Sequence, residues 1–193
     1  MNLIFRLLRI LILGWSAGKG KDPAAEFMKP SRITLRCWPT DLDLNFHMNN
    51  GRYLSIMDLG RMDLMLQSGL AKRIMLDKKW MPVIAAGTVR YRKSIEPFER
   101  FHLETRVVGW DDNFVYLDQR FLSSNGRVKA AGLVQAAMTN KSGRVPTKEL
   151  MAAFGVDDTT DGTPPAYIKE WVTMLGDWRA DFTRDEPQAK AAA

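Results

Sequence analysis

The stretch NGRYLSIMDLGRMDLMLQSGL, from Asn50 to Leu70, constrains this chain more than any other. Tyr53, Leu54, Ile56, Met57, Leu59, Met62, Leu64, Met65 and Leu66 fit helical spacing but leave no wide polar face. A helix that is apolar nearly all round must be enclosed. Four strand-like runs follow it: MPVIAAGTVRYRKSI, RFHLETRVVGW, NFVYLDQRFLSS and RVKAAGLVQAAMTN. Turn signals separate them at Glu96-Pro97, Asp111-Asp112-Asn113 and Asn125-Gly126. The last predicts a tight hairpin, because Asn-Gly supplies the positive φ angles of a primed turn. Before the helix, RITLRCW (Arg32–Trp38) alternates as a strand and stops at Pro39. Strand, enclosed helix and four consecutive strands predict an α+β architecture: a curved antiparallel sheet wrapped round a central helix. A second copy of the chain is expected to cover what one sheet leaves bare.

The 193 residues suffice for one such domain with tails. We expect an N-terminal amphipathic membrane-anchor helix and linker over 1–30, the linker being SAGKGKDPAAEFMKPS, then the sheet-and-helix domain over 31–145 and a helical extension over 146–193. Within the domain, AKRIMLDKKW reads as a second, amphipathic helix. The extension reads as two short helices, TKELMAAF and YIKEWVTMLGDW, with a disordered end, TRDEPQAKAAA.

The N-terminal run MNLIFRLLRILILGW is too short and too charged to span a bilayer, which takes about 20 apolar residues. It predicts an interfacial amphipathic helix over residues 1–15, with leucines in the acyl boundary and Arg6 and Arg9 at the headgroups. A cleaved signal peptide and a helix packed on its own domain are the alternatives. Within it, GWSAG (Gly14–Gly18) matches a nucleophile elbow, but an arginine-bearing apolar run precedes it and a Lys/Gly linker follows. That motif needs a strand before it and a helix after it.

One cysteine, Cys37, excludes an internal disulfide and favours a reducing, cytoplasmic compartment. With only two histidines, the composition argues against a protein-built zinc site. The net charge is +6, and half of it falls in residues 1–30, where five basic residues face Asp22 and Glu26. Such a balance favours lipid headgroups, nucleic acid or a phosphorylated carrier such as coenzyme A. Arg90, Arg92 and Lys93 in VRYRKS suit carrier phosphates, or form a solvated strand face. Tyr91 alone makes no stacking platform, so no nucleic-acid partner is expected. His102, among apolar neighbours on a strand, reads as structural.

Polar chemistry concentrates just before the central helix, in DLDLNFHMNNGRY (Asp41–Tyr53). The first amides of a helix lack internal partners and carry partial positive charge, so they suit a carboxylate, a phosphate or a developing oxyanion. If the segment is extended, Asp43, Asn45 and His47 share one face, with Leu44 and Phe46 on the other. A carboxylate that activates water or attacks directly, an orienting imidazole and amide, and helix amides suit acyl transfer to water. The competing reading makes Asp41 and Asp43 turn-formers and Asn49 or Asn50 a helix cap.

Together with Asp58 and Arg61 in MDLGR, this stretch resembles the signature of hotdog-fold thioesterases, which act on acyl-CoA and acyl-carrier-protein substrates. Of the pattern D-x-D-x-x-G-H-V-N-N-x-x-Y, Asp41, Asp43, His47, Asn49, Asn50 and Tyr53 are present. Phe46 stands at the glycine and Met48 at the valine. Asp43, Asn45 and His47 also fit the D-x-N-x-H pattern of plant acyl-carrier-protein thioesterases. The resemblance implies a hotdog domain over about 31–140, hydrolysis of an acyl thioester, and Asp43 as catalytic carboxylate supported by Asn45 and His47. It implies a site at the interface of a homodimer or dimer of dimers. Asn50, Tyr53, Arg90 and Arg92 are expected at the substrate, with Tyr53 either a pocket wall or core, and no cofactor is expected. An apolar segment ahead of the domain is similar to the membrane-associated thioesterase superfamily member six-like branch. A non-catalytic acyl-binding module, or a membrane assembly protein of the same fold, is the alternative expectation.

Overall fold

The computed structural model describes residues 2–17 and 22–184. Helix α1 (Asn2–Ala17) and the short α2 (Pro23–Phe27) precede strand β1 (Ser31–Arg36). The apolar run forms α3 (Asn50–Gln67). Strands β2 (Met81–Tyr91), β3 (Arg100–Trp110), β4 (Val115–Ser123), β5 (Val128–Asn140) and β6 (Gly143–Val145) follow, then α4 (Thr147–Phe154) and α5 (Ala166–Arg184). The sheet order is β1-β3-β4-β5-β2, every pair antiparallel, with β6 on the far end of β5. This is the α+β hotdog fold: a curved sheet around a central helix, with added terminal helices.

Burial alternates along β1 and β3, where Ile33, Leu35, Phe101 and Leu103 turn inward. β4 is buried on both faces. One face meets α3; on the other, Tyr116 packs with Ile168 and Trp171 of α5. Closeness between helix and sheet depends on Gly60, where a Cβ would lie 2.5 Å from Thr105 Oγ1 and 2.7 Å from Leu103 Cδ2. Beside it, the fully buried Gln119 donates from Nε2 to Met57 O and Thr105 Oγ1, both at 2.9 Å, and accepts from Arg61 Nη1 at 2.8 Å.

Much of the cover over α3 comes from the chain's own helices. Ile10 of α1 enters the main core, and Gly14 sits where a Cβ would be 2.8 Å from Leu66 Cβ. Phe27 of α2 stacks edge-on against Phe154 of α4 at 4.8 Å. Leu54 and Asp58 remain exposed along one side of α3.

Arg6, expected at lipid headgroups, is instead 8% exposed. Its Nη2 lies 2.5 Å from Asp41 Oδ2 and donates to Arg36 O at 2.7 Å. A buried guanidinium needs an acceptor set of this kind, and the domain supplies it. No helix of the described residues is long and apolar enough to cross a membrane.

Several local expectations change. The helix read from AKRIMLDKKW is a short π-helical segment, Lys72–Asp77, pinned where Arg73 Nη1 donates to Ala153 O. At the SSNGR hairpin only Gly126 has positive φ, and Asn125 Oδ1 instead accepts from Ser123 Oγ. The linker contains α2, capped by Asp22. Gly14 to Ala17 of the GWSAG motif continue α1, so no strand-to-helix elbow forms there. Gly18, the linker residues up to Lys21, and most of the tail expected to be disordered lie outside the described residues.

Candidate functional site

The loop entering α3 is a closed turn, not the extended strand that alternation suggested. Leu42 and Met48 form an isolated antiparallel bridge, and Asp43 N–H donates to His47 O at 2.9 Å. Asp43 Oδ1 accepts the Asn45 N–H at 2.8 Å, an Asx turn. Phe46 closes the loop with φ of 58°. The left-handed conformation explains why the matching pattern has glycine at this position. Leu44 and Phe46 stand out from the loop, 97% and 76% exposed.

This turn brings Asp43 and His47 together: His47 Nδ1 lies 3.6 Å from Asp43 Oδ1, with side chains 36% and 21% exposed. Asn45 reaches Asp43 through its backbone, while its side chain is exposed. Asn49 caps α3, its Oδ1 accepting the Gly51 N–H at 2.9 Å. Asn50 opens the helix, and its carbonyl accepts from Tyr91 Oη at 3.0 Å. Tyr53 is core, edge-on to Tyr91 at 5.0 Å and to Phe121 at 4.8 Å. Burial pushes its hydroxyl up to about 12, partly offset by a hydrogen bond from the Ile95 backbone. Arg90 and Arg92 flank Tyr91 on the exposed end of β2 and line a shallow depression with it. Asp43 and His47 form one group, and Asn50, Tyr53 and Tyr91 a second. No hydrogen bond or ion pair of the described residues joins the two.

Asp41 serves a different purpose from Asp43. It is 1% exposed and accepts from Arg6 and from Trp38 N–H at 2.8 Å, with Arg52 Nε 3.6 Å away. Beside it, burial first and the Asp41 charge second raise the Cys37 thiol to about 11.

An apolar cavity of about 320 Å³ lies under the open side of α3. Met62 and Met65 of α3, Leu117 of β4, Met138 of β5, and Phe27 and Phe154 from the short helices form its walls. Asp58 and Arg61 are its charged lining, paired to each other by a short ion contact. Burial lowers the Arg61 pKa, with Asp58 opposing. Asp43, Asn45 and His47 do not line this cavity. The sequence marks MDLGR without giving its charges a task, and no local signal announces walls drawn from segments spread between Phe27 and Phe154.

The family model of the thioesterase-like superfamily matches residues 37–172. The chain belongs to this superfamily. Among relatives of the thioesterase-like chain, Protein THEM6 of Drosophila melanogaster is 37% identical over 106 residues, 54% of each protein. Protein THEM6 of Danio rerio is 38% identical over 118 residues, covering 61% of this chain and 54% of the relative. The alignments therefore span about half the length of these curated relatives. YbaW, a probable thioesterase of Escherichia coli, shares the fold at a TM-score of 0.56 and 18% identity. That match covers 63% of this chain and 94% of YbaW.

Proposed function

We propose that this thioesterase-like chain hydrolyses acyl-CoA, or a related acyl thioester, to the free acid and thiol. The Asp43–His47 pair at the entrance to α3 carries the reading. Asp43 acts as general base toward water or as nucleophile, His47 orients it, and the Asn45 amide fixes its rotamer. Gly51 N–H is held by Asn49, which leaves the Asn50 N–H as the first-turn donor for the thioester oxygen. The cavity under α3 suits the acyl chain, at the lower end of the roughly 300–1,000 Å³ of small-molecule pockets. Arg90 and Arg92 suit the phosphates of the carrier.

The same reading makes the chain a homodimer or dimer of dimers. β2 is a sheet edge on which Met81, Val83 and Ile84 are exposed, Ile84 at the rim of the cavity that the exposed Asp58 of α3 also lines. It also gives the chain a peripheral membrane contact: Ile4, Phe5, Leu8, Ile12 and Trp15 form an exposed apolar face on α1.

The experiment is hydrolysis of an acyl-CoA chain-length series by wild type, Asp43→Asn and Asp58→Asn. Loss of roughly 100-fold or more in kcat for Asp43→Asn alone supports the assignment. A full effect of Asp58→Asn with an unchanged Asp43→Asn favours a second reading, in which Asp58, the carboxylate that lines the cavity, is the base. Tight acyl-CoA binding without turnover in wild type assigns a binding module instead.

A further inference from the structure

The outward face of the β1/β3 pair forms three rungs. Arg32 opposite Glu104 is an ion pair at 3.2 Å. Thr34 opposite His102 is a hydrogen bond at 2.9 Å. Arg36 opposite Arg100 is two like charges. Directly opposed like charges destabilise a strand pair, so the third rung is a cost that this chain carries without an internal remedy. Arg9 of α1 joins them in a groove lined also by Arg6, Thr34 and Trp38, and no carboxylate lines it. Arg6 is already committed to Asp41, and Arg36 rests 6.0 Å from the Trp38 ring. Among the described residues, no acidic side chain pairs with Arg9, Arg36 or Arg100.

The groove sits beside the apolar face of α1. At 100° per residue, Ile4, Phe5, Leu8, Ile12 and Trp15 share one side of the helix, and Arg6, Ile10 and Gly14 face the domain. Arg9 falls on the border between those two sides. When the apolar side rests in a bilayer surface, the groove lies at headgroup depth. Free phosphate would match the arginines equally well, but only a lipid brings an acyl region to the adjoining apolar face.

We propose that Arg9, Arg36 and Arg100 form a binding site for the phosphate of an anionic lipid headgroup, coupled to insertion of α1's outer face. The proposal rests on the membrane contact put forward above and adds a lipid class and two sheet-borne residues to it. The arginines supply charge complementarity, each worth close to one order of magnitude or less in partition near an anionic surface.

The test is co-sedimentation of the full chain with phosphatidylcholine vesicles and with vesicles containing phosphatidylglycerol. Wild type, Arg36→Gln/Arg100→Gln and Leu8→Ser/Ile12→Ser are compared. Wild type is expected to prefer the anionic vesicles by roughly 10-fold or more. The double glutamine variant is expected to lose most of that preference while keeping its binding to phosphatidylcholine. It is also expected to melt no lower than wild type, because a repulsive rung has been removed. The serine variant loses binding to both vesicles. A wild-type anionic preference in Arg36→Gln/Arg100→Gln overturns the groove and leaves the membrane contact standing. Absence of wild-type binding to either vesicle overturns both. A raised KM for acyl-CoA with unchanged vesicle binding reassigns the groove to carrier phosphates and overturns the lipid assignment.

Discussion

Arg6 Nη2 and Asp41 Oδ2 lie 2.5 Å apart with both side chains buried, joining α1 to the loop that leads into α3. Asp41 thereby makes the first acidic position of the motif the clasp for a helix 35 residues away. Removing one partner of a buried pair strands the other, at a cost of about 3–5 kcal/mol. Arg6→Met and Asp41→Asn are each expected to lower stability to urea by that order. The combined Arg6→Met/Asp41→Leu variant should recover a large part of it. A single-variant loss under about 1 kcal/mol would show that the contact contributes little.

The central helix and its sheet were legible because their patterns are local. An apolar helix without a polar face and strands of alternating burial leave few other architectures. The clasp was not legible, because an arginine in an apolar run fits a headgroup and a buried carboxylate equally well until the fold brings Asp41 to it. The loop was misread for a related reason. Asp43, Asn45 and His47 alternate as on a strand, yet Asx geometry and the Leu42–Met48 bridge fold them into a turn. What survived is the proximity of Asp43 and His47, set by the turn rather than by a shared strand face.

Gly60 predicts an asymmetry between helix propensity and packing. Alanine is favoured over glycine in a helix by about 0.8–1.0 kcal/mol. Here the added methyl would meet Thr105 Oγ1 at 2.5 Å and disturb the Gln119 hydrogen bonds. Overpacking of this kind costs about 1–3 kcal/mol, so Gly60→Ala is expected to lower Tm despite its better propensity. The paired Gly60→Ala/Thr105→Ala variant makes room and should recover part of the loss. A Gly60→Ala protein that melts above wild type would contradict the close approach.

Alkaline stability should fall as the buried thiol and phenols ionise; burial raises the pKa of Cys37, Tyr53, Tyr91 and Tyr116. Cys37 is raised from 9.0 to about 11 and Tyr53 from 10.0 to about 12. Both hold their protons longer in the folded state, so their contribution is complete below the unfolded values and is lost as pH rises through the folded ones. Urea midpoints should therefore decline from about pH 9 to 12, and Tyr53→Phe should flatten the upper part of that decline. The buried thiol predicts a kinetic signature as well. The Cys37 side chain is fully buried and its thiol holds its proton more tightly than in the unfolded chain, so labelling by a disulfide reagent at pH 8 should be about 10-fold or more slower in the native protein. Fast labelling of the native protein would contradict the burial.

Phe46 offers a test of the loop itself. Its φ of 58° is left-handed, which costs a non-glycine residue about 1–2 kcal/mol. Its ring is 76% exposed, so little packing offsets the strain within one chain. Glycine removes the strain but loses about 0.5–1 kcal/mol through the entropy of the unfolded state. Phe46→Gly is thus expected to be neutral or to gain up to about 1 kcal/mol, whereas Phe46→Ala keeps the strain and gains nothing. Urea unfolding at several protein concentrations is the measurement. A concentration-dependent loss in Phe46→Gly would place the ring against a second copy of the chain. A loss independent of concentration would mean that the left-handed turn does not form.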